Sequence, residues 1–350
     1  MGWSSMSSYR FFEVEISTLS PTILVFRATR TGYLKPLDYI PGPTLRGAIL
    51  TALHYHGYLT LKDLEKEAKN PSFLSTPAFP VVSIESREFR AVPATPFDFE
   101  CKLCRRRESK LRDLVGVYKK GLSQLVSLTA ECPEHGPMRT LYSILLAHRG
   151  RKPILDTIYV TSVAINKATR TAMRGLLYNY EALVAGLKFW ARLTIPDYIA
   201  GKIPSIFEVS IGRGRSRGFG RAQIKLLEEH NPENTQPSGF FIALSPLLPL
   251  RTLTWGSCSI TAEAVYGRTF KVVSGWDMVM GFHKPIVTAV RRGAVLVARV
   301  QCADQSSLQT FITMLSHGGL PVEYSGVWLT GFNTLLTLDE YLSIRGDISA

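Results

Sequence analysis

Four side chains arranged as two hooks are the first candidates for chemistry. Cys101 and Cys104 flank two residues, and Cys132 and His135 repeat that spacing after an intervening 27 residues. Each hook presents two ligands from one tight turn, and two hooks close the tetrahedral shell that zinc takes. Pro133 and Gly136 suit such a turn. Four protein ligands leave no open position, so the expected zinc is structural. The alternative is four reduced, unpaired side chains in a surface insertion. The basic run Arg105, Arg106, Arg107, Lys110 and Arg112 follows the first hook, and metal-driven folding would fix it in space.

The second candidate is Ile211–Arg221, in which Arg213, Arg215, Arg217 and Arg221 are interleaved with Gly212, Gly214, Gly218 and Gly220, plus Ser216 and Phe219. Glycines let backbone N–H groups approach a phosphate chain, and arginines give forked contacts to phosphate and stack on bases. Phe219 either stacks on a base or plugs the loop into the core. The segment Ala222–Leu226 alternates like a strand, which excludes the strand-to-helix setting of a dinucleotide fingerprint. The loop also lacks the Gly-Lys-Ser/Thr ending of a P-loop. His54 and His56 are candidate acid–base groups, although a helix C-terminus favours histidine without any chemistry. Asp38 is the acid between Glu15 and Asp63.

These residues need elements to hold them. Tyr9–Ser17 alternates and reads as a strand, and Thr22–Arg27 extends or partners it. A helix starts near Pro43 or Thr44, with Leu45, Ile49, Ala52 and Leu53 on one face and Arg46 and Gly47 in its first turn. A short helix follows at Leu61–Lys69. Ile158–Ile165, Leu187–Leu193 and Ala222–Leu227 read as strands, and Phe207–Ile211 as a strand or a helix end. The spacing of Leu176, Leu177, Tyr180, Leu183 and Val184 predicts a helix over Ala172–Ala185. The polar stretch His230–Gly239 is the expected domain boundary. Beyond it lie strands near Phe240–Leu244, Ser257–Tyr266 and Gly293–Val300, a helix at Ser306–Leu315, and a last strand at Asn333–Leu338. Strands and helices grouped this way in both halves imply an α+β class. Cys258 and Cys302 stand singly in apolar, strand-like context and read as small buried hydrophobes.

Composition narrows the partner. The 350 residues are 45% hydrophobic and 20% charged, an ordinary globular balance, with apolar runs too short to span a bilayer and no signal layout at the start. The reading is a soluble, cytoplasmic chain with no membrane partner. Of the net charge of +13, residues 101–120 carry +6 and residues 201–225 carry +5. Charge gathered in two patches points to a polyanion.

The glycine–arginine loop resembles the glycine-rich loop of the RAMP superfamily, the RNA-binding proteins of CRISPR-Cas systems. Ile40-Pro41-Gly42-Pro43-Thr44-Leu45-Arg46-Gly47-Ala48 is similar to that family's N-terminal signature, with Pro43-Thr44 in place of Ser-Ser. Ile165-Asn166, Thr169-Arg170, Leu177-Tyr178 and Glu181 resemble its mid-domain strand-to-helix segment. A weaker similarity links Ser274–Asp277, Gly281–Pro285 and Arg292–Val295 to the second half of two-domain members, and Gly326, Gly331 and Phe332 to a decayed second glycine loop. Leu37-Asp38-Tyr39 points toward the type III-D subtype. The resemblance implies two ferredoxin-like domains, residues 8–230 with a zinc insertion at about 98–138, and residues 238–350. It implies a non-catalytic subunit that holds the 5′ repeat-derived handle of the crRNA and docks on the large signalling subunit and the first backbone subunit. Arg46, Gly47, the loop from Gly212 to Arg221, His283 and Lys284 are the implied RNA-facing positions. The competing readings are a guide-processing endoribonuclease using His54 and His56, a backbone subunit cutting target RNA with Asp38, and an assembly subunit touching mainly protein. The family's base-separating thumb has two candidate positions, residues 60–95 and the zinc insertion.

Overall fold

Alternation along Tyr9–Thr18 builds the first sheet. Phe12, Val14 and Ile16 are buried in one cluster, whereas Phe11 packs into another. The strand runs antiparallel between Lys188–Pro196 and Arg221–His230. The sheet continues through Phe79–Ile84 and Arg87–Arg90 on one flank and Ile206–Ser210 on the other. The structure is a computed structural model that describes residues 8–28, 34–232, 237–273, 275–277 and 279–346.

One face of this sheet is covered by the helix Gly42–Tyr55, whose Leu45, Ile49, Ala52 and Leu53 are buried as their spacing predicts. Pro41 enters it in extended conformation, and Pro43 falls in the first turn, where its missing N–H leaves no bond unmade. The helix Leu61–Lys69 opens with a reciprocal Thr60–Asp63 capping box.

In the second half Phe240–Ala243 lies between Val295–Gln301 and Leu335–Thr337, and Cys258–Tyr266 and Thr252–Trp255 extend the sheet beyond Val295–Gln301. The helix Gln305–His317, capped by the Asp304 carboxylate accepting from the Ser307 N–H, buries Phe311, Met314 and Leu315 against this sheet and Phe11 of the first. Apolar clusters therefore run across the polar stretch 230–239. Phe79 and Trp190 share one with Phe240 and Tyr341. Between the layers, the buried Arg192 guanidinium donates to Glu13 and pairs with Glu340 of the last helix, Leu338–Arg345.

Three expectations are corrected. Ala172–Leu183 is a strand, not a helix, and pairs antiparallel with Thr157–Ile165. The chain reverses at Asn166–Thr171, where the Asn166 N–H donates to the Thr171 carbonyl, and this supplies a pairing partner that helical spacing cannot reveal. The segment Ile165–Glu181 is thus a hairpin rather than a strand-to-helix turn. Phe207–Ile211 resolves as the strand Ile206–Ser210. Cys258 and Cys302 are not single residues but a disulfide, because Ser259 and Gln301 pair across adjacent strands and bring the flanking cysteines face to face. Among the described residues no helix is long and apolar enough to cross a membrane.

Candidate nucleic-acid interface and metal centre

The glycine–arginine loop joins Ile206–Ser210 to Arg221–His230. Gly212, Gly214, Gly218 and Gly220 all have φ near +80°. Two of them also allow close backbone approach. A β-carbon would collide with the Ile23 carbonyl at Gly212 and with the Ile211 carbonyl at Gly220. The Arg213 N–H donates to the Ile23 carbonyl at 3.0 Å, and the Gly220 N–H to the Pro21 carbonyl at 2.9 Å. The loop is therefore pinned at both ends, and its tip, the tight turn Arg215–Arg217, is turned outward. Arg213, Arg215, Ser216 and Arg217 are exposed, and Phe219 is half-buried against Gly214. Arg217 stacks over the Tyr180 ring at 5.3 Å, and Arg221 pairs with Glu208 at 3.0 Å.

Tyr180 belongs to the long hairpin Thr157–Leu183. Its strand alternates, so Glu181 and Leu183 turn to the opposite face, together with Thr157 across the pair. That face lines a cleft of about 1310 Å³ between the two halves of the chain. The hairpin base thus stands between loop and cleft.

Helix Gly42–Tyr55 brings Arg46 and Gly47 to the cleft, and the second half brings Trp276, Lys284, Arg292 and Trp328. Burial first, and the Arg46 charge with it, lowers the Lys284 pKa, while Asp277 opposes the shift. Lys284 Nζ lies 3.5 Å from Asp277. The Arg292 guanidinium sits 3.8 Å over the Tyr39 ring and pairs with Asp38 at 3.0 Å. Space beside Gly47 is open. Arg46 is directed inward: its Nε donates to the Phe73 carbonyl at 2.7 Å and its Nη2 to the Glu67 carboxylate at 2.7 Å. His283 lies outside the cleft lining, edge-on to Trp276.

The structure therefore divides the expected RNA-facing residues, His283 apart, into two sets. Arg46, Gly47 and Lys284 share the cleft, and the loop residues stand across the hairpin base. Tyr39, Trp276 and Arg292, which the sequence offered only within stretches of family resemblance, and Trp328, which it did not single out, line the same cleft from distant segments.

The four metal-ligating candidates converge as expected. Cys101 Sγ lies 3.6 Å and Cys132 Sγ 3.5 Å from His135 Nδ1, and Cys104 Sγ lies 3.6 Å from Cys132 Sγ. All four ligand atoms fall within 4.8 Å of one another. A tetrahedral shell with bonds near 2.0–2.3 Å has edges of about 3.5–3.8 Å, so the spacing fits a metal ion. The Cys132 thiol is brought down to about 6, first by the Glu134 backbone N–H and then by His135.

The nuclease candidates have structural partners. His54 Nδ1 is hydrogen-bonded to the Leu59 carbonyl at 2.9 Å where its helix ends, and the His56 ring is tilted toward Tyr58. Asp38 is held by Arg292.

No curated protein matches the chain. A chain of the type III-B Cmr-beta complex bound to cognate target RNA and AMPPnP is 16% identical over 81% of this chain and 85% of that one, with a TM-score of 0.49. A chain of the same complex with cognate target RNA is also 16% identical, over 81% and 86%, at 0.46. Pyrococcus furiosus Cmr4 (Cas7) is 13% identical over 62% and 99%, at 0.27. The family model of the RAMP superfamily matches residues 15–223, which contain the Pro-Gly helix start, the hairpin and the glycine loop. That span is more than half of the chain, and the chain belongs to the RAMP superfamily.

Proposed function

We propose that this protein is a non-catalytic, RNA-binding subunit of a type III CRISPR effector, and that it holds the 5′ repeat-derived handle of the crRNA. The observation that carries this reading is the pinned glycine loop, which displays Arg213, Arg215 and Arg217 outward beside the hairpin base. A phosphate chain laid over the loop meets guanidiniums on a rigid backbone, and the cleft beyond offers aromatic faces for splayed bases. The hairpin Thr157–Leu183 projects Tyr159, Val163 and Leu177 into solvent. It suits the role of base-separating thumb better than residues 60–95 or the metal-binding insertion does.

Strand order supports a ferredoxin-like reading of both halves. In the first, Phe79–Ile84, Lys188–Pro196, Tyr9–Thr18 and Arg221–His230 lie in the spatial order 2-3-1-4 of their sequence. In the second, Cys258–Tyr266, Val295–Gln301, Phe240–Ala243 and Leu335–Thr337 repeat it. We assign residues 8–230 and 238–350 to these domains. The insertion at about 98–138 takes a structural zinc on Cys101, Cys104, Cys132 and His135. The large signalling subunit and the first backbone subunit are the protein partners.

The experiment is crosslinking and sequencing of RNA in the complex purified from its native host, with the Arg213→Ala/Arg215→Ala/Arg217→Ala variant alongside. Crosslinks confined to the repeat-derived 5′ end, and RNA lost from the variant complex, support the reading. Crosslinks spread along the spacer make it a backbone subunit. Unchanged RNA content in the variant refutes the role of the loop.

A further inference from the structure

A second cavity, of about 350 Å³ and sharing no lining residue with the cleft, lies between the metal-binding insertion and the last helix. Its floor is apolar, with Phe99, Leu141, Leu146 and Leu342. Its walls carry Arg107, Ser109, Arg112 and Arg345. Arg107 and Ser109 are two apart on the strand Arg107–Ser109 and share a face. Arg112 stands exposed on the turn Leu111–Asp113, which the buried Leu111 and Leu114 anchor.

Charge here is out of balance. Asp98 is matched by Arg345 at 2.7 Å, and Glu108 by Lys110. The buried Glu100 carboxylate alone receives Arg105 at 3.4 Å, Arg107 at 2.9 Å and Arg139 at 2.6 Å. Of these three guanidiniums Arg107 lines the cavity, sharing its carboxylate with two others, and Arg112 lines the cavity with it. The Ser109 hydroxyl is buried with no hydrogen-bond partner among the described residues. Such a group is destabilising unless a ligand or water meets it.

We propose that this cavity is a binding site for a nucleotide bearing a 5′-phosphate. The phosphate is met by Arg112, Arg107 and the Ser109 hydroxyl, and the base lies on the leucine floor. The size admits one mononucleotide, either free or at the end of an RNA strand. Nothing in this site depends on the handle-binding role of the loop.

The test is calorimetric titration of the full-length, metal-loaded chain in phosphate-free buffer with adenosine 5′-monophosphate. A second titration uses a tetranucleotide RNA with a 5′-phosphate or a 5′-hydroxyl. AMP binds the unmodified chain, and Arg112→Gln and Arg112→Glu weaken it roughly tenfold to a hundredfold, the value of one charge-assisted contact. Ser109→Ala weakens it less. The Arg213→Ala/Arg215→Ala/Arg217→Ala variant binds AMP normally, which separates this site from the loop. A tetranucleotide that binds more tightly than AMP, and only with its 5′-phosphate, assigns the site to RNA ends. Tighter binding of AMP assigns it to the free nucleotide. No AMP binding at millimolar concentration, or binding that both Arg112 variants retain with unchanged melting temperature, overturns the proposal.

Discussion

Arg46→Ala separates two roles that the same residue plays in sequence and in structure. By resemblance Arg46 faces RNA; in the fold its guanidinium closes on Glu67, whose side chain is 1% exposed beside an arginine that is 12% exposed. Removing one partner of a buried pair costs about 3–5 kcal/mol, because the other charge is left uncompensated. Glu67 keeps donors in the Ser72 N–H and hydroxyl, the Phe73 N–H and the Tyr198 hydroxyl, so the low end, about 3 kcal/mol, applies. At about 2.1 cal/mol/K of unfolding entropy per residue, 350 residues give roughly 0.7 kcal/mol/K, and the melting temperature falls by about 4 °C. Calorimetry of Arg46→Ala, Glu67→Gln and the double variant measures this. The double variant should be less destabilised than the sum of the singles, by about 0.5–3 kcal/mol. An unchanged melting temperature in Arg46→Ala, with RNA lost from the complex, would show that the ion pair carries nothing and the RNA contact carries everything.

Three further outcomes are expected. Zinc analysis of the purified chain should give one equivalent, reduced by Cys104→Ser, and chelation should open the insertion to proteolysis before the rest; full resistance without metal would remove the structural role. Reducing Cys258–Cys302 releases a loop of 44 residues, and chain entropy puts the loss at about 4 kcal/mol or less, read as a fall of about 5 °C in melting temperature that Cys258→Ser/Cys302→Ser reproduces without reductant. His317 is fully buried, and burial first, then Arg192 and His230, hold its pKa well below 6.5. The unfolded chain therefore takes a proton below pH 6.5 that the folded chain refuses. This site's stability is complete above that pH and declines as pH falls, by up to about 1.4 kcal/mol per unit, a slope that should flatten in His317→Gln.

Local patterns were readable and assembled ones were not. The two ligands of each metal hook and the four loop glycines are set within a few residues of one another, so spacing alone made them legible, while the meeting of the two hooks across 27 residues was inferred from the four-ligand shell. The helix Leu61–Lys69 was readable as an element, and its Thr60–Asp63 capping box is a finding of the fold. Residues 172–183 carry apolar groups at both helical and strand spacing, and only the partner strand Thr157–Ile165 decides between them. The Arg46–Glu67 pair spans 21 positions and needs two helices docked before it exists. Cys258 and Cys302 meet because two strands pair in one register, and nothing near either cysteine encodes that register.

The division of helices between the halves explains why the cleft exists. The first sheet keeps the long helix Gly42–Tyr55 after its first strand, but only the single turn Asp197–Ala200 follows Lys188–Pro196. The second sheet has no such helix between Phe240–Ala243 and Cys258–Tyr266, and keeps Gln305–His317 after Val295–Gln301. Helix Gln305–His317 packs on its own sheet and reaches Phe11 of the first, so it supplies cover that the first half lacks. The hairpin of Val322–Tyr324 and Val327–Leu329 follows it, and just beyond stands Gly331, where a β-carbon would collide with Pro43, so the second half seats directly on the start of helix Gly42–Tyr55. The cleft walls are held by that seat and by the Asp38–Arg292 pair, which joins the halves at the rim. A side chain at Gly331 should therefore disturb the cleft while leaving the glycine loop intact, which makes Gly331→Ala the substitution that separates the cleft's share of RNA binding from the loop's.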